Sequence, residues 1–213
     1  MLGRICWGSD RKVELAVERI CGLSVWRVRM SQVSRRPERV VKKGIDLLRK
    51  EGVTHVLTPP GFPWWPELMR AGLRPVETRN LRCMLAPVWV HAQLDGRNVP
   101  RERAVLRLKG ERYEPVLESL AKTLCPLVRR MVFHIPGGET TADTLRREMG
   151  MPVLPGDFGE VQLTLRLADG PVLTGAEITL PGRELPTDCD TVGLISVLWE
   201  TGRIKSEEIV LKL

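Results

Sequence analysis

The side chains best suited to chemistry in this chain are five thiols, three imidazoles, a diglycine turn and an aromatic loop. Cys6, Cys21, Cys83, Cys125 and Cys189 are odd in number and widely spaced. They form no Cys-x-x-Cys motif and no Cys/His cluster, which argues against structural zinc and against a dithiol redox pair. His55, His91 and His134 share no metal-ligand spacing, and His55 and His134 flank apolar runs, so both read as core or strand-end residues. Asp188-Cys189-Asp190 is chemically suggestive, but two flanking carboxylates raise a thiol pKa and oppose nucleophilic use. An aspartate capping a helix there explains the triplet more simply. The chain holds neither Gly-x-Ser-x-Gly nor a P-loop lysine motif.

Binding chemistry has more candidates. Gly137-Gly138-Glu139-Thr140-Thr141 opens a helix, where free backbone N–H groups can hold a phosphate. The same residues also make an ordinary tight turn, with Thr140 or Thr141 as the cap. Residues 59–66, Pro-Pro-Gly-Phe-Pro-Trp-Trp-Pro, place Phe62, Trp64 and Trp65 on a proline-stiffened loop. Such rings stack a flat ligand or anchor a partner, or one of them seals a helix against a sheet. Arg112 and Tyr113 follow a predicted strand and belong to the same class of strand-end contacts.

These groups need a scaffold, and the spacing of apolar residues predicts one. Residues 4–8 read as a strand, and Val13, Ala16, Val17 and Ile20 as one face of a helix over 12–21, stopped by Gly22. Residues 25–30 alternate as a strand. Pro37 starts a helix with Val41, Ile45 and Leu48 inward and Arg39, Lys42, Lys43, Arg49 and Lys50 outward, ending at Glu51-Gly52. A short strand over 53–58, the aromatic loop, a short helix to Gly72 and a helix around 81–94 kinked at Pro87 complete the first half.

Asp95-Gly96-Arg97-Asn98-Val99-Pro100 marks the predicted boundary between units 1–97 and 98–213. Strands at 104–108, 131–135 and 151–154 then alternate with helices over 114–127 and 141–149. Residues 161–167 alternate on one face, 171–180 read as a strand or hairpin arm, 191–199 as a last helix, and 209–211 as an edge segment. The rhythm predicts an α/β protein with two Rossmann-like halves, largely parallel sheets, and an antiparallel addition near the C-terminus.

Residues 104–154 resemble, in layout, the NADP-binding domain of the shikimate dehydrogenase and glutamyl-tRNA reductase group. That resemblance implies a glycine-rich turn after the first strand. Here the turn is Leu108-Lys109-Gly110-Glu111-Arg112-Tyr113-Glu114, with one glycine and two carboxylates near the pyrophosphate position. The second strand ends at Ile135-Pro136 with no ribose-binding acid. No cofactor is therefore predicted.

The chain carries a formal charge of +7; residues 1–100 hold 18 Lys/Arg against 9 Asp/Glu, and residues 101–213 hold 15 against 17. A basic first half raises the question of an anionic partner. With no apolar run long enough for a span or a signal peptide, the expected location is the cytoplasm, with no membrane partner. The expected function is binding of a small molecule or protein partner at strand-end loops, without catalysis. The alternatives are an enzyme acting on a nucleotide or phosphorylated metabolite at 137–141, and nucleic-acid binding through residues 27–50.

Overall fold

The computed structural model describes residues 1–9, 12–32 and 35–213. They cluster into two compact units, Met1–Thr78 with Thr179–Val210, and Arg79–Ile178 with Leu211–Leu213.

In the first unit β1 (Leu2–Gly8), β2 (Glu14–Ile20) and β3 (Leu23–Ser31) precede α1 (Pro37–Lys50), β4 (His55–Leu57), α2 (Trp65–Arg70) and β5 (Arg74–Pro75). The sheet order is β2-β3-β1-β4-β5. Strands β3, β1, β4 and β5 are parallel, and β2 joins antiparallel at the edge. Pro37 occupies the first turn of α1, and Val41, Gly44, Ile45 and Leu48 are its buried stripe. They pack on Ile5, Val28, Met30 and Val56.

The helix expected over 12–21 is a strand. Cys21 and Gly22 both have positive φ, 48° and 78°, which makes the two-residue turn whose twist suits a β-hairpin. Gly22 is thus a hairpin residue rather than a helix stop. A stripe of four apolar residues at helical spacing does not exclude a strand, and the register decides. Glu14 lies opposite Arg29, and Glu18 comes within 3.9 Å of Arg27.

The second unit holds α3 (Arg79–Asp95), β6 (Val105–Gly110), α4 (Leu117–Leu124), β7 (Arg130–His134), α5 (Glu139–Met149), β8 (Val153–Leu154), β9 (Leu163–Leu167) and β10 (Pro171–Val172). Its sheet order is β10-β9-β6-β7-β8, parallel except for β10. The chain steps outward from β6 to β7 to β8, then returns to the other side of β6 as β9. Dinucleotide-binding folds use this order. Here the last crossover, residues 155–162, contains no helix. Leu106, Leu108, Met131, Leu163 and Leu165 bury one face of the sheet against Trp89, Leu120, Leu124 and Leu145.

The units divide at 78/79, not at 97/98. Helix α3 belongs to the second unit, where the Trp89 indole donates to the Thr174 carbonyl at 3.2 Å and Arg82 donates to that of Pro171 at 3.2 Å. The Asp95–Pro100 turn is a surface connection inside that unit, and local turn chemistry does not separate such a loop from a linker.

The chain then adds β11 (Glu177–Thr179) and α6 (Thr191–Glu200), and ends in β12 (Val210–Lys212), which pairs with β11. Helix α6 joins the first unit, with the Ser196 hydroxyl donating to the Glu77 carbonyl at 2.9 Å and the Asp190 N–H to that of Thr58 at 2.9 Å. Among the described residues no helix is long and apolar enough to cross a membrane.

Candidate functional site

Strand β6 reads Val-Leu-Arg-Leu-Lys-Gly, so alternation sends Leu106 and Leu108 into the core and Arg107 and Lys109 to the opposite face. Lys109 is in register with His134 on β7 and with Arg166 on β9. Register partners in a parallel sheet share a face. Three exposed basic side chains therefore stand in a row at the carboxyl ends of three adjacent strands.

The direction of chain travel reverses between β6 and β9, and open α/β sheets bind ligands outside the carboxyl ends of strands at such a point. A cleft of about 980 Å³ lies there, lined by Lys109, His134, Arg166 and Arg112 from the β6–α4 loop. That size suits a small ligand. Among the described residues, Lys109, Arg112 and Arg166 form no ion pair. The His134 Nδ1 lies 3.2 Å from the Gly156 carbonyl, which only accepts. Nδ1 therefore carries the proton in that bond, and Nε2 is left for a ligand.

Three carboxylates also line the cleft, and two are already engaged. Glu114 is buried, and its Oε2 accepts the Gly170 N–H at 2.8 Å, tying the β6–α4 loop to the β9–β10 turn. Asp169 pairs with Arg79, whose hydrogen bond holds the Asp169 carboxyl below its ordinary range. Glu111 is exposed on its loop and makes no ion pair among the described residues. Basic groups outnumber free acids.

The structure brings two of the sequence candidates together. The Tyr113 Cβ lies 3.6 Å from where a side chain on Gly137 would begin, and the Thr141 hydroxyl donates to the Tyr113 oxygen at 3.5 Å. Gly137 has φ 76°, and Gly138 occupies the cap position of α5. Neither Thr140 nor Thr141 caps that helix, since no side-chain cap bond forms and the buried Thr141 turns to Tyr113 instead. Glu139 and Thr140 are exposed.

The aromatic loop sits on the first unit. Phe62 is 5% exposed and stacks on Trp7 with centroids 5.7 Å apart, while Trp65 meets it edge-on at 6.3 Å. Trp64 and Trp65 are half-buried against the same core. Helix α2 starts at Trp65, because Pro66 is tolerated in a first turn where its missing N–H costs nothing. Of the strand-end segment Gly8-Ser9-Asp10-Arg11, Asp10 and Arg11 lie outside the described residues.

The first unit also pairs two cations in register, Arg4 on β1 with Arg27 on β3. There the chain supplies its own anions. Arg4 Nη1 donates to both Glu18 oxygens at 2.8 and 2.7 Å, and its Nη2 pairs with Asp188. The neighbouring Cys189 thiol is pushed up to about 11, first by burial, with Arg4 opposing and Asp188 and Asp190 adding to the rise. It is a poor nucleophile. Asp190 caps α6, its Oδ1 accepting the Gly193 N–H at 3.0 Å.

Comparison with protein-family models and with curated proteins finds no match to this chain. Lys109 and Arg166 are not singled out in the sequence, and His134 reads there only as a core or strand-end residue. Lys109 follows one predicted strand and His134 lies inside another, but which residues stand side by side depends on parallel register, which a lone sequence does not display.

Proposed function

We propose that the protein binds a small anionic metabolite, of the phosphate-ester class, in the cleft at the carboxyl ends of β6, β7 and β9. The observation that carries this reading is the pair Lys109–Arg166, register neighbours of like charge with no ion pair among the described residues, beside His134 in the same row. Like charges side by side destabilise a sheet, and a bound anion relieves them. Arg112 adds a planar donor fork from the loop above.

Side chains, not a glycine-rich backbone turn, provide the positive charge. The β6–α4 loop carries Glu111 and Glu114, and Tyr113 covers Gly137, so a pyrophosphate in the dinucleotide pose meets carboxylates and a ring. Recognition of a compact phosphate ester asks for neither a glycine turn nor a ribose-binding acid. Binding without catalysis is the simpler assignment, because the buried acid near the row, Glu114, is committed to the Gly170 N–H.

A thermal-shift panel of sugar phosphates, nucleoside monophosphates, inorganic phosphate, dicarboxylates and NAD(P) tests the proposal. A phosphate ester at about a hundred times its Kd stabilises by about 2.7 kcal/mol. For a chain of this size that is a rise of about 5–10 °C, and it is lost in Arg166→Ala. No shift with any anion at millimolar concentration, or a shift confined to NAD(P), overturns it.

A further inference from the structure

The basic helix and the aromatic loop, independent candidates in the sequence, form one groove. Along α1, the exposed residues Arg39, Lys42, Lys43, Arg49 and Lys50 follow helical spacing on one stripe. That stripe covers about 16 Å of helix axis. None of the five forms an ion pair among the described residues. Beside it lies a groove of about 590 Å³ between α1 and α2, lined by Lys42, Arg49 and the half-buried Trp64. Glu38, Asp46 and Glu67 line it as well, and Glu67 is engaged by Arg70 at 3.6 Å.

We propose that this groove binds single-stranded nucleic acid, one base lying against Trp64 while the phosphates follow the Arg39–Lys50 stripe. Aromatic stacking beside a cationic track is the general means of holding single strands. The carboxylates fit this occupant. Glu38 and Asp46 are exposed on α1, Asp46 within the basic stripe; they disfavour phosphate beside them, yet accept hydrogen bonds from exocyclic base amino groups such as the cytosine N4. A membrane surface fits less well. Binding to lipid needs apolar side chains interleaved with the basic ones, and none of the exposed residues along the Arg39–Lys50 face of α1 is apolar. This proposal does not depend on the cleft of the second unit.

Fluorescence anisotropy of the full chain with a labelled C-rich RNA of about 20 nucleotides, over a salt series, tests it. Binding is expected, with Lys42→Ala and Lys43→Ala each reducing the logarithmic salt slope by about 0.7. Trp64→Ala is expected to weaken binding about tenfold with the slope unchanged, and Trp64→Phe to restore most of the loss. Should Trp64→Ala unfold, Trp64→Phe against Trp64→Leu gives the same comparison in a filled site. Absence of binding at low salt overturns the proposal. So does inorganic polyphosphate competing as well as the RNA on a length-matched basis, which shows that charge alone acts. Tighter binding to phosphatidylserine-containing vesicles, lost with the same lysine substitutions, reassigns the stripe to membranes and overturns it too.

Discussion

Lys109 and Arg166 are register neighbours on the parallel strands β6 and β9, both exposed and neither ion-paired among the described residues. Arg4 and Arg27 stand in the same relation on β1 and β3, but Glu18 and Asp188 neutralise them from within the chain. In the first unit the anion is built in; in the second no carboxylate pairs with either cation among the described residues, and the proposed anion binding rests on that difference.

Replacing Lys109 by Met is expected to stabilise the ligand-free protein, because it removes like-charge repulsion across the ladder. The gain is about 0.5 kcal/mol at low ionic strength and fades as salt screens the wild-type pair. Urea unfolding in low and high salt measures it. A loss of stability in low salt shows that the two cations do not repel each other as described.

Arg4→Met strands Glu18 and Asp188 beside a buried position. Removing one partner of a fully buried ion pair costs 3–5 kcal/mol. Asp188 is half exposed, so solvent reduces the expected cost to about 2 kcal/mol. Arg4→Lys recovers little, since an ammonium cannot hold both Glu18 oxygens and Asp188 in one fork. Thermal unfolding of the two variants makes the comparison, and a lysine variant as stable as wild type counts against the fork.

Asp190→Ala removes the α6 cap and is expected to cost about 1 kcal/mol. Gly193→Ala acts on the same feature, because a Cβ there lies 2.5 Å from the Asp190 Oδ2. The double variant is therefore expected to lose clearly less than the two single losses combined. Additive losses mean that Ala at 193 is resisted by something other than the cap.

The Cys189 thiol titrates near 11 in the folded protein, against an ordinary value of 9.0. Its folded pKa is raised, so the stability it contributes is complete below about pH 9 and is lost as pH rises towards 11. Cys189→Ala is expected to flatten the fall in stability across that window. Alkylation at pH 8 should modify the half-exposed Cys21 of the β2–β3 turn well before Cys189. Early modification of Cys189 in the folded state contradicts its burial.

The elements whose signals are local were legible. Pro37 and the Val41–Ile45–Leu48 stripe define α1, and Gly150, with φ 61°, closes α5 where a left-handed glycine belongs. The α/β alternation and parallel sheets follow from such signals. The β2 hairpin was missed because Val13, Ala16, Val17 and Ile20 fall at helical spacing and not at strand alternation, and only pairing with β3 makes the segment a strand. The return of 179–210 to the first unit was missed because it rests on long-range contacts, such as Arg4 with Asp188. Arg112 and Tyr113 were read as strand-end residues, whereas the Lys109–Arg166 pair beside His134 appears only once three strands are in register.

Amide chemical shifts followed during titration with a phosphate ester from the thermal-shift panel locate the anion on the second unit's sheet. Perturbations are expected at Gly110, His134 and Ala168, at the ends of β6, β7 and β9, and are expected to disappear in Arg166→Ala. Perturbations centred instead on the Gly138–Thr141 turn, or unchanged by Arg166→Ala, would contradict that placement.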